Sequence, residues 1–305
     1  MLLMTLALLS SGCQPDAVVE EEANKKTNRV VAVSYPLQYV SQRIAGEEIE
    51  VQFLTPEGQD PIKWRPPTES VLEMQDADLI VTNGAGAHYA TWLTHFTLPE
   101  SKICQSTADL PLADYMKIDD HQIVHSHGPE GEHSHSYMVP YTWLDPNVLS
   151  RQADMIHASL TEVYPERTDE FAANLTALKA DLSKVAAQAS QIAAEQKDDP
   201  GYAIHLNPNT RFCTRAAGFR DDHLLYFDAE SDVPENLKRF KDLFIKSKPR
   251  FLIVDREDVP EELTSIAKSN GIPVLRLQRI DHPVSGGGGD CLKAIAENFR
   301  LLNGE

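Results

Sequence analysis

The sequence predicts an α/β protein made of two α/β lobes with parallel sheets, joined by one long connecting helix. Three observations carry that expectation. Short apolar runs, Arg29-Val30-Val31-Ala32-Val33, Asp78-Leu79-Ile80-Val81-Thr82 and Phe251-Leu252-Ile253-Val254, have the length and continuity of strands buried on both faces, as in parallel sheets. Stretches of helical period alternate with them, which is the pattern of βαβ units. Between the two groups, Phe171, Leu175, Leu178, Leu182 and Val185 recur at three- and four-residue steps, the stripe of a long amphipathic helix. A chain of 305 residues is long enough for two lobes, each with its own core.

Residues 2–9, LLMTLALL, are apolar but too short to span a bilayer, and SSGC follows at once. The segment resembles a bacterial lipoprotein signal, with residues 1–12 removed and diacylglycerol on Cys13. Ser10 stands where such signals usually have leucine, and no basic residue precedes the run. Residues 13–28 then comprise the lipidated cysteine and a polar, aperiodic tether. The N-terminal lobe, 29–147, opens with the Arg29–Val33 strand and a helical stretch from Leu37 to Ile44. A strand from Ile49 to Leu54, the loop TPEGQDPIKWRPP and a helix through Val71 and Met74 follow. The Asp78–Thr82 strand comes next, closed by Asn83-Gly84-Ala85-Gly86. Residues 148–199 form the connecting helix, with a break or bend near Pro165. In the C-terminal lobe, 200–305, strands at Phe251–Val254 and Pro273–Leu275 flank a helix near Glu262–Ser269. The four glycines 286–289 cannot hold regular structure. Ligands of open parallel sheets bind beyond the carboxyl ends of the strands, so the loops after residues 33, 54 and 82 are expected to share one edge.

The formal net charge of −18 argues against nucleic acid as a partner, because phosphate binding needs a basic face. It suits cation handling and, equally, a solvated acidic surface. No HExxH, no GxSxG and no phosphate-binding glycine pattern occurs, so the sequence points away from an enzyme. Cys104, Cys213 and Cys291 would occupy an oxidising compartment once the leader is cleaved. A bridge between two of them is open, and spacing does not choose the pair.

The densest chemistry lies at residues 125–135, HSHGPEGEHSH. With His121, this stretch holds five of the eleven histidines within fifteen positions. Residues two apart in an extended chain project from one face, so His125 with His127 and His133 with His135 form two imidazole pairs. Gly128, Pro129 and Gly131 favour a turn that folds one pair onto the other. Four neutral imidazoles then approach the tetrahedral nitrogen set that Zn²⁺ accepts, and Glu130 and Glu132 supply oxygens or orient the rings. The competing reading is a solvated polar loop. The histidine tract, 119–137, is expected to be unstructured without metal and ordered by it.

The ordered landmarks resemble the solute-binding lipoproteins of zinc and manganese uptake ABC transporters. VAVSYPLQYVSQRIAG is similar to their opening strand and helix, EVQFLTPEGQDPIKWRPP to the loop with their first metal ligand, and DADLIVTNGAGAHYATWL to their third strand. YTWLDP matches the segment before the connecting helix, and a His-rich insertion sits ahead of it, as in zinc-specific members. The resemblance runs from about residue 29 to the C-terminus and is weaker in the second lobe. It implies a metal-binding cleft between the lobes and a monomeric protein that delivers Zn²⁺, or Mn²⁺, to a membrane permease. It also implies a lipid-anchored place in the cell envelope, facing the periplasm or the exterior. Three cleft ligands do not carry across: Ile62 and Tyr141 replace histidines, and Asn207 aligns with a third, unless a two-residue slip brings in His205. Asp281 matches the fourth. The expected metal set is therefore His125, His127, His133 and His135, with His205 and Asp281 in the cleft. A membrane-tethered zinc scavenger uncoupled from any permease is the alternative.

Overall fold

The computed structural model describes residues 26–84, 91–111, 117–118, 124–126, 132–134, 137–224, 233–255, 259–283 and 289–304. Cys13 with the leader and most of the tether, and His88, His121, His127 and His135, lie outside the described residues.

Two four-stranded, all-parallel sheets form the lobes, as expected. In the first, β1 (Arg29–Ala32), β2 (Glu50–Phe53), β3 (Leu79–Thr82) and β4 (Ile103–Gln105) lie in the order β2-β1-β3-β4, with Val30 registered against both Val51 and Leu79. Val30–Ala32 of β1 and all of β3 are buried, which explains their unbroken apolar sequence. Helix α1 (Tyr35–Ala45) follows β1; Pro36 suits its first turn, and Gly46 ends it at a φ of 79°. Helix α2 (Thr68–Asp76) leads to β3.

The expected connecting stretch is two helices rather than one. Asp145 caps α3 (Pro146–Val163) by accepting from the backbone amides of Asn147 and Val148. Tyr164 leaves helical geometry, a 3-10 turn at Pro165–Arg167 reverses the chain, and α4 (Thr168–Glu195) returns along α3. An ion pair at 2.6 Å between Lys179 and Asp154 ties the hairpin together. The connecting helix proper is α4, 28 residues and about 42 Å long. On one side Arg43 of α1 reaches Asp181 at 2.9 Å, and Asn174 donates to the Ile44 carbonyl at 3.1 Å. Further along, α4 packs on the second lobe's helices. Phe171, Leu178, Leu182 and Val185 are buried as their period predicts. Through them, one hydrophobic cluster runs from Val30 and Ile80 to Ile295 and Phe299.

The second sheet contains β9 (Tyr202–His205), β10 (Arg220–Leu224), β11 (Phe251–Val254) and β12 (Val274–Arg276), in the order β10-β9-β11-β12. Around it lie α5 (Arg211–Ala216), α6 (Val233–Ser247), α7 (Glu261–Ser269) and α8 (Cys291–Leu302). Ile204, Phe240, Leu252 and Val254 make a smaller core of its own. The bridge left open between cysteines is not formed: Cys104, Cys213 and Cys291 are free thiols, each buried at its own place in the core.

In and beside the histidine tract, the described residues form short paired strands. Strands β5 (Lys117–Ile118) and β8 (Tyr137–Met138) pair antiparallel, and inside them β6 (Val124–Ser126) pairs antiparallel with β7 (Glu132–Ser134). The inner register sets His125 directly opposite His133.

Candidate metal centre

Two places in the fold gather the residues that the sequence singles out: the nested ribbon and the cleft between the lobes. On the ribbon, β6 and β7 pair antiparallel with His125 opposite His133, while Gly128, Pro129, Gly131, His127 and His135 lie outside the described residues. Directly opposite residues of an antiparallel pair keep their β-carbons about 4.5–5.5 Å apart, close enough for one ion to span two imidazoles.

The cleft is assembled from loops at the carboxyl ends of the strands and from the segment after β12. In the first lobe, the Asp60 carboxylate accepts from the Ile62 amide at 2.9 Å and its carbonyl from the Trp64 amide at 2.8 Å. The Pro61 carbonyl accepts from the Trp92 indole at 3.4 Å. This fixes Ile62 as a partly buried alkyl group against the core. Tyr141 is buried edge-on to Trp143, with ring centroids 5.3 Å apart. Burial first, and the nearby Asp281 next, raise its phenol well above the ordinary value, so it stays neutral and a poor ligand.

In the second lobe Asn207 caps the 3-10 turn at Pro208–Thr210 and donates to Asp255 Oδ1. Asn209 donates to Asp255 Oδ2 at 2.7 Å. His205 closes β9 in full burial, with Nδ1 3.2 Å from Thr210 Oγ1 and Nε2 3.0 Å from Thr214 Oγ1. Neither ring nitrogen is open to an ion, so the expected role of His205 as a cleft ligand does not fit this geometry.

Asp281 lies in the cleft as expected, but engaged. Its Oδ2 is 3.0 Å from Arg279 Nε, and that nitrogen is 3.7 Å from Asp255 Oδ2. Asp281 Oδ1 is buried without a hydrogen-bond partner. The Asp281 carboxyl is pushed up to about 6: burial raises it most, Arg279 and His282 pull it down, and Asp60 and Asp255 add to the rise. Burial opposes the Arg279 charge, yet Asp281, Tyr141, Asp255 and Asp60 together hold its pKa above the ordinary arginine value. His282, given no role from sequence, packs on Phe53 and donates from Nε2 to the Gln59 carbonyl at 2.5 Å, joining the lobes. Among the described residues, no three His, Cys, Asp or Glu side chains converge as a metal site requires.

The sequence reading missed Arg279 and Asp255. Asp255 directly follows the apolar run of β11, at the strand end where ligands collect, so its position was a usable signal. Arg279 gave none, because guanidinium is not a metal-ligand type.

Comparison with known proteins places the molecule. Residues 30–303 match the family described as ZnuA, zinc-uptake complex component A periplasmic. The chain belongs to the ZnuA family. Members are solute-binding transport proteins, not enzymes. The manganese ABC transporter substrate-binding lipoprotein PsaA of Streptococcus pneumoniae is 24% identical over 255 residues, covering 81% of this chain and 78% of PsaA. The zinc-binding lipoprotein AdcA of Streptococcus pneumoniae (strain ATCC BAA-334 / TIGR4) is 28% identical over 162 residues, 52% of this chain but only 31% of AdcA. A crystal structure of ZnuA superposes with a TM-score of 0.69 at 18% identity, covering 90% of this chain and 98% of the other. The superposition supports the two-lobed fold of this ZnuA-family chain.

Proposed function

We propose that this protein captures Zn²⁺, with Mn²⁺ as the second candidate cargo, outside the cytoplasm and delivers it to the membrane permease of an ABC transporter. Family membership over residues 30–303 supports the transport role. The observation that carries the choice of site is the β6–β7 register, which sets His125 opposite His133. His127 and His135 lie outside the described residues; two residues further along, the strands of an antiparallel pair lead in opposite directions, so they are proposed as diagonal third ligands on either side of that pair. Such nitrogen donors suit zinc better than manganese, which prefers oxygen. His205 and Asp281 are left out of the ligand set, the first because its ring nitrogens are engaged and the second because it is ion-paired.

Cys13 is the proposed lipid attachment point, which would hold a monomeric protein at the membrane, facing the periplasm or the exterior. The loss of cleft ligands favours one second reading, a membrane-tethered zinc scavenger that no longer docks a permease. Calorimetry on the wild-type chain and on a variant with His125, His127, His133 and His135 all replaced by alanine tests the site. Loss of most high-affinity Zn²⁺ binding with the fold intact is expected, and undiminished affinity returns the site to the cleft. Zinc-limited growth of the native host, with the permease present or deleted, separates delivery from scavenging.

A further inference from the structure

The interlobe cleft contains a cation of its own. The side chain of Asp255 is only 2% exposed and that of Asp281 9% exposed, and their Oδ2 atoms reach the same nitrogen, Nε of Arg279, at 3.7 and 3.0 Å. Two carboxylates withdrawn from water beside one nitrogen need a positive charge there to offset the cost of their burial. Arginine supplies a charge that no accessible pH removes, on a planar fork of donors matched to carboxylate oxygens.

The surroundings hold that charge from several sides. Trp143 donates to the Arg279 carbonyl at 2.8 Å, and the Tyr141 ring centroid lies 6.0 Å from the guanidinium carbon. Ile280, next in the chain, takes a φ of 61°, which a β-branched residue adopts only where neighbouring contacts impose it. Asn207 and Asn209 fix Asp255 from the opposite side. Tyr141 and Trp143 precede the connecting helix and the carboxylates follow it, so the guanidinium sits at the lobe boundary.

We propose that Arg279 is the resident cation of the cleft, neutralising Asp255 and Asp281 of its own lobe and excluding divalent ions from between them. Confinement of cargo to the histidine ribbon is a consequence that also rests on the function proposed above. The role of Arg279 itself does not.

The test uses the full chain carrying the four histidine-to-alanine changes as parent, so that the ribbon contributes no binding. Thermal melting is followed in chelator and in millimolar Mn²⁺, an ion suited to carboxylate donors. In chelator, Arg279→Met lowers the midpoint by roughly 5–10 °C, as expected when one partner of a largely buried ion pair is lost. Mn²⁺ recovers half or more of that loss, while the parent does not respond. Arg279→Lys, which keeps the charge, melts nearer the parent and is likewise insensitive to Mn²⁺. The proposal is overturned if Arg279→Met melts with the parent in chelator, or if Mn²⁺ raises the parent as much as it raises the variant. Should Arg279→Met fail to fold, the double variant Arg279→Met with Asp281→Asn decides. Recovery of folding supports an uncompensated carboxylate as the cause, and continued failure overturns it. Zinc titration of wild type against the parent tests the ribbon separately, so the two ideas can fail independently.

Discussion

Single replacements within the ribbon should rank in an order set by the β6–β7 register. His125 and His133 are directly opposed, whereas a third imidazole, from His127 or His135, belongs to a diagonal neighbour, typically about 7–8 Å from the pair across the strands. A structural zinc site with four ligands is worth about 10–16 kcal/mol, or roughly 2.5–4 kcal/mol for each ligand if shared evenly. Removing a member of the opposed pair leaves the other imidazole without its closest co-ligand and is expected to weaken binding about 100-fold or more. Removing His127 or His135 leaves the pair intact with one diagonal imidazole, and water can take the fourth position, so the expected loss is about 10-fold. Competition titration with a chromogenic zinc chelator on His133→Ala and His135→Ala reads both losses on one scale. Equal losses, or a larger loss at His135, would refute an opposed pair as the heart of the site.

Proton competition gives a second prediction: imidazole binds metal only when neutral, so Zn²⁺ affinity falls as pH drops through about 6.5. A flat affinity from about pH 8 to about pH 5.5, which brackets that value, would exclude imidazole ligands. Zinc should slow amide hydrogen exchange across residues 119–137, and equal exchange with and without the ion would separate the ribbon from the site. Phe171→Ala empties a fully buried position on α4 and should cost about 3–5 kcal/mol in urea unfolding while leaving zinc affinity of the folded fraction unchanged. Cys13→Ala should prevent lipid attachment and release the protein from membranes in the native host; membrane retention of the variant would place the anchor elsewhere.

The two lobes were legible because central parallel strands have no solvent face, and Leu79-Ile80-Val81 or Leu252-Ile253-Val254 therefore read as uninterrupted apolar runs. Of the edge strands, β2 and β12 were visible as Ile49–Leu54 and Pro273–Leu275, whereas β4 and β10 gave no such signal. β10 reads Arg220-Asp221-Asp222-His223-Leu224, a polar sequence tolerated because the strand has a neighbour on one side only. The helical period at Phe171–Val185 marked α4 correctly, but the same period before Pro165 concealed a chain reversal rather than a bend. In the candidate site, the paired histidines and the turn between them were visible as local sequence. The Arg279 cluster was not, since it joins residues from β11, the segment after β12 and the approach to α3, which only the folded topology brings together.

The ribbon and the cleft also differ in how they respond to an ion. One hydrophobic cluster runs through α4 into both lobes, and Arg279 and His282 add polar ties across the boundary, so opening the lobes would expose apolar surface and break both contacts. Opening therefore has a cost that no cargo ion in the cleft would offset if Arg279 already fills the cationic role. Among the described residues the β6–β7 ribbon has three residues in each strand, and an isolated hairpin is marginal in water. An ion present at 100 times its dissociation constant adds about 2.7 kcal/mol to the state that binds it, enough to decide whether so short a ribbon stays paired. Under this arrangement cargo occupancy is signalled by order in the ribbon rather than by closure of the lobes. The surface presented to a permease would then change with metal while the α/β framework stays the same.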